Sequence, residues 1–125
     1  MGRVILDSSV FIASLKQSDR FHESATGALS EGQKEYFISA ITLAEAMVGY
    51  MKSDSYENIV ELIKSVVTVI EVNSEVAVEG ARIRARKGLK LPDALIAATA
   101  KLHGLDLWTF DAPLSKAAAG ARLLK

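Results

Sequence analysis

The stretch Arg3-Val-Ile-Leu-Asp-Ser-Ser-Val-Phe-Ile-Ala-Ser-Leu15 decides the fold. Arg3 to Leu6 reads as a short buried strand, because an unbroken apolar run of this length suits a strand covered on both faces. The strand ends at Asp7. Ser8 to Leu15 then reads as a helix with Val10, Phe11 and Leu15 available for packing. A strand that feeds directly into a helix is the opening of an α/β unit.

The same alternation continues outward. Arg20 to Gly32 is expected to be a second helix, closed by Gly32 in a left-handed cap. Tyr36 to Ile38 reads as a strand, Thr42 to Met51 as a helix, and Ser55 to Val66 as an amphipathic helix with Ile59, Leu62, Ile63 and Val66 on one face. Val67 to Val72 is a β-branched strand, and Ser74 to Lys87 a helix ended by Gly88. Pro92 opens a helix that stops at His103 before Gly104, following the preference for proline at the start and glycine past the end. Leu107 to Thr109, Pro113 to Ala119 and Ala121 to Leu124 complete the series as strand, helix and strand. Strands separated by helices predict an α/β fold, a three-layer α/β/α sandwich with a central parallel sheet. In such sheets ligands bind outside the carboxyl ends of the strands.

With 125 residues, 50% of them hydrophobic, and no linker, repeat or low-complexity segment, residues 1–125 are expected to form one domain. The chain has no cysteine, which excludes disulfides, thiolate metal sites and cysteine nucleophiles. Imidazole comes only from His22 and His103, neither of which is assigned any chemistry. Any metal would therefore meet oxygen ligands, which favours Mg²⁺ or Mn²⁺ over Zn²⁺. The apolar stretch Val4 to Ile12 is interrupted by Asp7 and two serines, too short and polar for a signal peptide or membrane span. A cytoplasmic protein without a membrane partner is the expectation. Fifteen basic and fifteen acidic residues cancel, so any nucleic-acid contact must come from a local patch.

Most of the acids suit solvated helix faces, as at Glu57, Glu61, Glu75 and Glu79. Four stand elsewhere. Asp7 follows a central strand at the ligand-binding edge; it also suits an N-cap, although Ser8 and Ser9 offer uncharged caps at the same place. Glu45 completes Thr42-Leu-Ala-Glu45, which has the form of a capping box, yet it lies in a stretch apolar enough to be buried, where a carboxylate needs a partner. Asp93 follows Pro92 at the head of Ala-Leu-Ile-Ala-Ala-Thr-Ala, a helix with almost no polar face; the helix dipole accounts for an acid there, but burial of the helix puts it at the rim of the core. Asp111 follows a strand and precedes Pro113, as ordinary turn chemistry allows. In a parallel sheet all four positions face one edge. Converging carboxylates repel one another unless a cation binds.

Asp7-Ser-Ser-Val-Phe-Ile, Glu45 in its early helix, Pro92-Asp-Ala-Leu-Ile-Ala-Ala-Thr-Ala and Thr109-Phe-Asp resemble the successive motifs of PIN-domain proteins, and length and order look most like the VapC-type toxins of prokaryotic toxin–antitoxin pairs. The resemblance implies a PIN-like fold and an Mg²⁺- or Mn²⁺-dependent endoribonuclease. Asp7, Glu45, Asp93 and Asp111 would then be its acidic quartet, and Ser9 and Thr109 would supply supporting hydroxyls. It further implies an RNA substrate, a cognate antitoxin protein and a homodimer, with Phe21, Met47, Tyr50, Met51 and Tyr56 as candidates for such contacts besides their simpler reading as core. The chain departs from the pattern at Leu114, where family members often carry an aromatic residue.

Arg82, Arg84, Arg86, Lys87 and Lys90 form a run without an acid just ahead of Asp93. It suits either backbone phosphates or a solvated face with Glu79 and Arg82 paired across one turn. Two rival strand-then-Asp families fit less well. A haloacid-dehalogenase-like phosphatase needs a second acid where Ser9 stands, and a receiver domain needs a lysine soon after a late strand. No Gly-rich loop ends in Lys-Ser or Lys-Thr, which excludes a phosphate-binding loop. The remaining alternative keeps the PIN-like scaffold but lets it act only by binding RNA or a protein.

Overall fold

A computed structural model describes residues 2–125. Five strands, β1 (Gly2–Leu6), β2 (Lys34–Ser39), β3 (Thr68–Ile70), β4 (Asp106–Thr109) and β5 (Arg122–Leu123), form one sheet in the order β3-β2-β1-β4-β5, and every pair is parallel. Seven helices cover it: α1 (Ser8–Leu15), α2 (His22–Leu29), α3 (Ala40–Met47), α4 (Tyr56–Val66), α5 (Ser74–Lys87), α6 (Leu91–His103) and α7 (Ala112–Ala117).

Strand alternation divides the core in two. Val4, Leu6, Ile38 and Trp108 point to one face, where they pack with residues of α1 to α4 such as Val10, Phe11, Ala25, Met47 and Ile63. Ile5, Phe37 and Leu107 point to the other, against Ile96, Ala97 and Ala100 of α6 and Leu114 of α7. The expected three-layer sandwich is what forms. Its most buried strand is central β1, whose Val4, Ile5 and Leu6 are all shielded from solvent, so the end of β1 lies at the middle of the carboxyl edge.

Several local expectations need correction. α2 stops at Leu29, where the Ser30 and Glu31 N–H groups bond the Gly27 and Ala28 carbonyls; this tightened last turn ends the helix, so Gly32 lies beyond it as a loop residue at φ +143° and is not its cap. α3 begins at Ala40, with the Ser39 hydroxyl accepting from the Ile41 N–H, so Thr42 and Glu45 lie inside the helix and form no capping box; beyond Met47 the chain tightens into a 3₁₀ turn over Val48–Tyr50. On α4 only Ile63 is fully covered, while Leu62 and Val66 remain 66% and 63% exposed. Its partner β3 is a three-residue edge strand, too narrow to cover the whole apolar face. Glu79 is not solvated but buried. Gly80 lets α5 lie so close to α6 that a Cβ there would stand 2.6 Å from Leu95 Cδ2, and this approach carries Glu79 against Lys101, while Arg82 pairs with it from one turn along α5. Among the described residues, no helix is long and apolar enough to cross a membrane.

Candidate active site

Asp7 follows β1 directly and is 3% exposed. Its Oδ1 accepts from the Ser9 hydroxyl at 2.6 Å and the Val10 N–H at 3.1 Å, so it does cap α1. Its Oδ2 accepts from the Thr109 hydroxyl at 2.5 Å. That bond is possible because β4 pairs with β1 and ends beside it, Leu6 facing Trp108. The Thr109 oxygen in turn accepts from the Asp111 N–H at 2.9 Å, and Ser9 accepts from the Phe110 N–H at 3.3 Å. The two strand-to-helix junctions, β1–α1 and β4–α7, are thus laced together by two hydroxyls. Asp111 caps α7 through a 3.2 Å bond from the Leu114 N–H. Leu114 itself is fully buried and donates this bond from its backbone.

Glu45 projects from α3 and is exposed, contrary to the burial expected from its apolar neighbours. Thr42, Ala46 and Met47 turn to the core while position 45 points across to α1, where the Ser8 hydroxyl donates to Oε1 at 2.5 Å. Ser8 also lies 3.1 Å from the hydroxyl of the fully buried Thr42. Sequence reading assigned Ser8 no part beyond a possible cap; its place one residue after Asp7, on the α1 face turned to α3, was the available signal. Asp93 stands in the first turn of α6, half-buried.

The electrostatics join the four acids. Burial pushes the Asp7 carboxyl above its ordinary value, outweighing the bonds from Ser9, Thr109 and Val10, and the negative charge of Asp111 adds to the rise. Asp93 is also raised, first by desolvation, then by the charges of Asp111 and Asp7 and more weakly Glu45, with only Lys90 opposing. Asp93 therefore feels all three other acids. Among the described residues no ion pair reaches any of the four. Nor, among those residues, do three acidic or imidazole side chains stand as a ready-made ion cage. Hydroxyls engage Asp7 and Glu45 instead. By charge and donor chemistry, a set of uncompensated carboxylates fits a hard divalent cation.

The basic run does not act as one patch. Arg82 is committed to Glu79, and Arg84 donates to the Leu89 carbonyl at 2.7 Å, closing the turn between α5 and α6. Lys90 stands nearest the acids, within the field of Asp93. Arg86 and Lys87 line clefts beside α7, joined there by Lys116, which the sequence reading passed over because it lies outside the run. Of the aromatic and methionine candidates, Phe21 stacks on Phe110 with ring centroids 4.5 Å apart, Met47 is buried, Tyr50 and Tyr56 are partly buried against the core, and Met51 is 53% exposed. His22 bonds the Ala13 carbonyl at 2.7 Å, a structural contact between α1 and α2.

The family model for the PIN domain matches residues 4–120. The chain belongs to the PIN domain family. Solved structures agree with this PIN assignment over nearly the whole length. A toxin–antitoxin complex from Klebsiella pneumoniae contains a chain 31% identical, with 94% of each chain covered and a TM-score of 0.78. FitAcB from Neisseria gonorrhoeae is 25% identical over 96% of each chain, with a TM-score of 0.75. The DNA-bound VapBC from Salmonella typhimurium is 27% identical over 98% of this chain and 97% of that one, with a TM-score of 0.69. No curated protein sequence matches this PIN domain.

Proposed function

We propose that this PIN domain protein is a divalent-metal-dependent endoribonuclease and the toxin of a toxin–antitoxin pair. The observation that carries the reading is the gathering of acids from four separate elements at one sheet edge: Thr109 ties Asp7 to the Asp111 N–H, Ser8 one residue on holds Glu45, and Asp93, raised first by desolvation, also feels the charges of Asp111, Asp7 and Glu45. Such an arrangement is destabilising on its own and suits a bound cation. Asp7, Glu45, Asp93 and Asp111 would hold Mg²⁺ or Mn²⁺, which when bound supplies Lewis-acid stabilisation of the charge developing on the phosphate oxygens. Asp7, fixed by three hydrogen bonds, is the rigid member of the set. One of these carboxylates would position or deprotonate the attacking water. Ser9 and Thr109 hold Asp7 in its orientation, and Ser8 holds Glu45. Attack by water on an RNA phosphodiester would leave 5′-phosphate and 3′-hydroxyl ends. The toxin reading rests on the likeness to toxin–antitoxin complexes at 25–31% identity over nearly the full chain. A protein antitoxin and a second copy of the chain are its partners in this proposal.

The absence of a ready-made cage among the described residues favours one other reading, a scaffold that binds RNA or a protein without cutting. Cleavage and melting separate the two. The nuclease cuts single-stranded RNA with Mn²⁺ present, stops with chelator, and loses activity on Asp93→Asn. Mn²⁺ at a hundred times its dissociation constant adds about 2.7 kcal/mol, roughly a 10 °C rise in midpoint for a chain of this size. Full metal-stimulated cleavage by Asp93→Asn would refute the site; RNA binding without cleavage under any metal would favour the scaffold.

A further inference from the structure

Two clefts lie on the α5–α6–α7 side of the molecule. One, about 560 Å³, is lined by Lys87, Gly88, Leu89, Ala112, Pro113 and Lys116 among others. Ala112 and Pro113 directly follow Asp111, and Leu89 is four residues ahead of Asp93, so the lining of this cleft comes from the segments that carry two of the acids. The other, about 450 Å³, runs between α5 and the second half of α6 toward the start of β4. Lys87 and Ala117 line both, so the two lie side by side, and together they are called the groove. Each lies in the size range of clefts that hold small ligands, ~300–1,000 Å³.

The groove concentrates positive charge in a protein whose formal charge is zero. Arg82, Arg86, Lys87, Lys101 and Lys116 line it against a single acid, Glu79. Glu79 holds Arg82 and Lys101 to the wall, and its own carboxyl is held below the usual range by the Lys101 ammonium. Arg86, Lys87 and Lys116 take part in no ion pair among the described residues. The floor is built of small side chains, Ala97, Ala100, Ala117 and Ala118, with Leu107 beneath. A cationic rim over a flat apolar floor suits a phosphate chain whose bases turn inward, since single-stranded RNA is read by splaying bases onto apolar or guanidinium surfaces.

We propose that this groove is the track for a single-stranded flank of the RNA substrate, with Lys87, Lys116 and Arg86 on its phosphates and one unstacked base on the alanine floor. The proposal rests on the ribonuclease reading for the substrate but uses none of the four acids. Its test compares wild type, the groove variant Lys87→Gln/Lys116→Gln and a control, Lys52→Gln/Lys64→Gln, whose cations are exposed on and before α4. Steady-state cleavage of a fluorescent 12-nucleotide RNA gives KM and kcat. Binding of the same RNA to each protein carrying Asp93→Asn gives affinity as a function of salt.

The groove variant should raise KM about tenfold with kcat within twofold. It should also flatten the logarithmic salt dependence of binding by ~1.4, at ~0.7 for each phosphate no longer neutralised. The control should match wild type. Normal cleavage with KM and salt slope unchanged in the groove variant would overturn the groove and leave the nuclease standing. Groove-dependent binding without any cleavage would support the groove and remove the nuclease. Equal weakening by the control, or groove variants that keep RNA affinity while losing affinity for polyglutamate, would overturn the groove in favour of diffuse charge or an acidic polypeptide.

Discussion

Thr109→Val is the most informative single change in this molecule. The side chain is fully buried and its oxygen works twice, donating to Asp7 Oδ2 and accepting from the Asp111 N–H. Valine keeps the shape, so no cavity opens; what is lost is polar. Asp7 Oδ2 is left without its hydroxyl donor in a site where the residue is 3% exposed. A hydrogen bond to a charged group contributes ~1.5–3 kcal/mol, and a stranded buried N–H costs about 1–3 kcal/mol. Because protonation of Asp7 and small shifts of Asp111 relieve part of the loss, the expected destabilisation is about 2–4 kcal/mol, within the range for breaking a buried polar network. With an unfolding entropy of ~2.1 cal/mol/K per residue, that lowers the melting midpoint by roughly 8–15 °C.

The pH dependence carries the sharper signature. Removing a donor raises the Asp7 pKa further, and a protonated carboxyl needs that donor less. The gap between Thr109→Val and wild type should therefore narrow as pH falls toward 4 and be widest above neutrality. Thr109→Ser keeps the oxygen and loses one methyl, and should cost only about 1 kcal/mol at every pH. Metal-free denaturation between pH 4 and 8 measures all three proteins. A Thr109→Val midpoint within 4 °C of wild type, or a gap that widens on acidification, would mean that the hydroxyl does not hold Asp7 as described.

Four further outcomes follow from the structure. The Asp93 pKa is raised above 3.8, so the folded state binds more protons than the unfolded one and metal-free stability falls as pH climbs through the interval between the two values; melting across pH should show Asp93→Asn gaining on wild type as pH rises above about 4. Ser8→Ala should cut RNA cleavage about tenfold through loss of Glu45 placement, and should cost about 1–3 kcal/mol of stability because it also strands the fully buried Thr42 hydroxyl. On α4, urea denaturation should give about 2–5 kcal/mol for Ile63→Ala but within about 0.5 kcal/mol for Leu62→Lys, one being buried and the other open to solvent. Gly88→Ala forces a side chain into the left-handed cap of α5 at φ +71°, and should cost about 1–2 kcal/mol in the same assay.

Sequence and structure agree where local chemistry decides the outcome. Central β1, the helix opened by Pro92 and closed by Gly104, and the strand-end positions of Asp7 and Asp111 each depend on a few consecutive residues, and each forms as expected. Disagreement begins where a distant element decides. Glu79 looks like a solvated acid until Gly80 brings α6 close enough for Lys101, twenty-two positions away, to meet it. The face of α4 has the right period, but periodicity carries no information on how wide a surface β3 offers. Glu45 was the least legible member of the quartet, because its apolar neighbours spoke for burial and the partner that settles its place, Ser8, is thirty-seven residues earlier.

At Asp7 and Asp111, capping and the proposed site role are compatible. Each was open to the simpler reading as an N-cap, and each is one. A strand that ends in a parallel sheet and turns at once into a helix exposes free N–H groups at the same edge where ligands bind. A carboxylate placed there is anchored by one oxygen on the helix, and the positive end of the helix dipole offsets part of the repulsion from its neighbours. Capping thus makes a cluster of acids more tolerable. Asp93 shares the dipole, standing in the first turn of α6, but it caps no helix N–H, and the only neighbouring charge that opposes the other acids is Lys90. If the quartet binds metal, removal of the ion should therefore be felt most at Asp93. Loss of either cap should instead damage the fold and the site together, which is why the Asp93 variants rather than the Asp7 variants separate chemistry from stability.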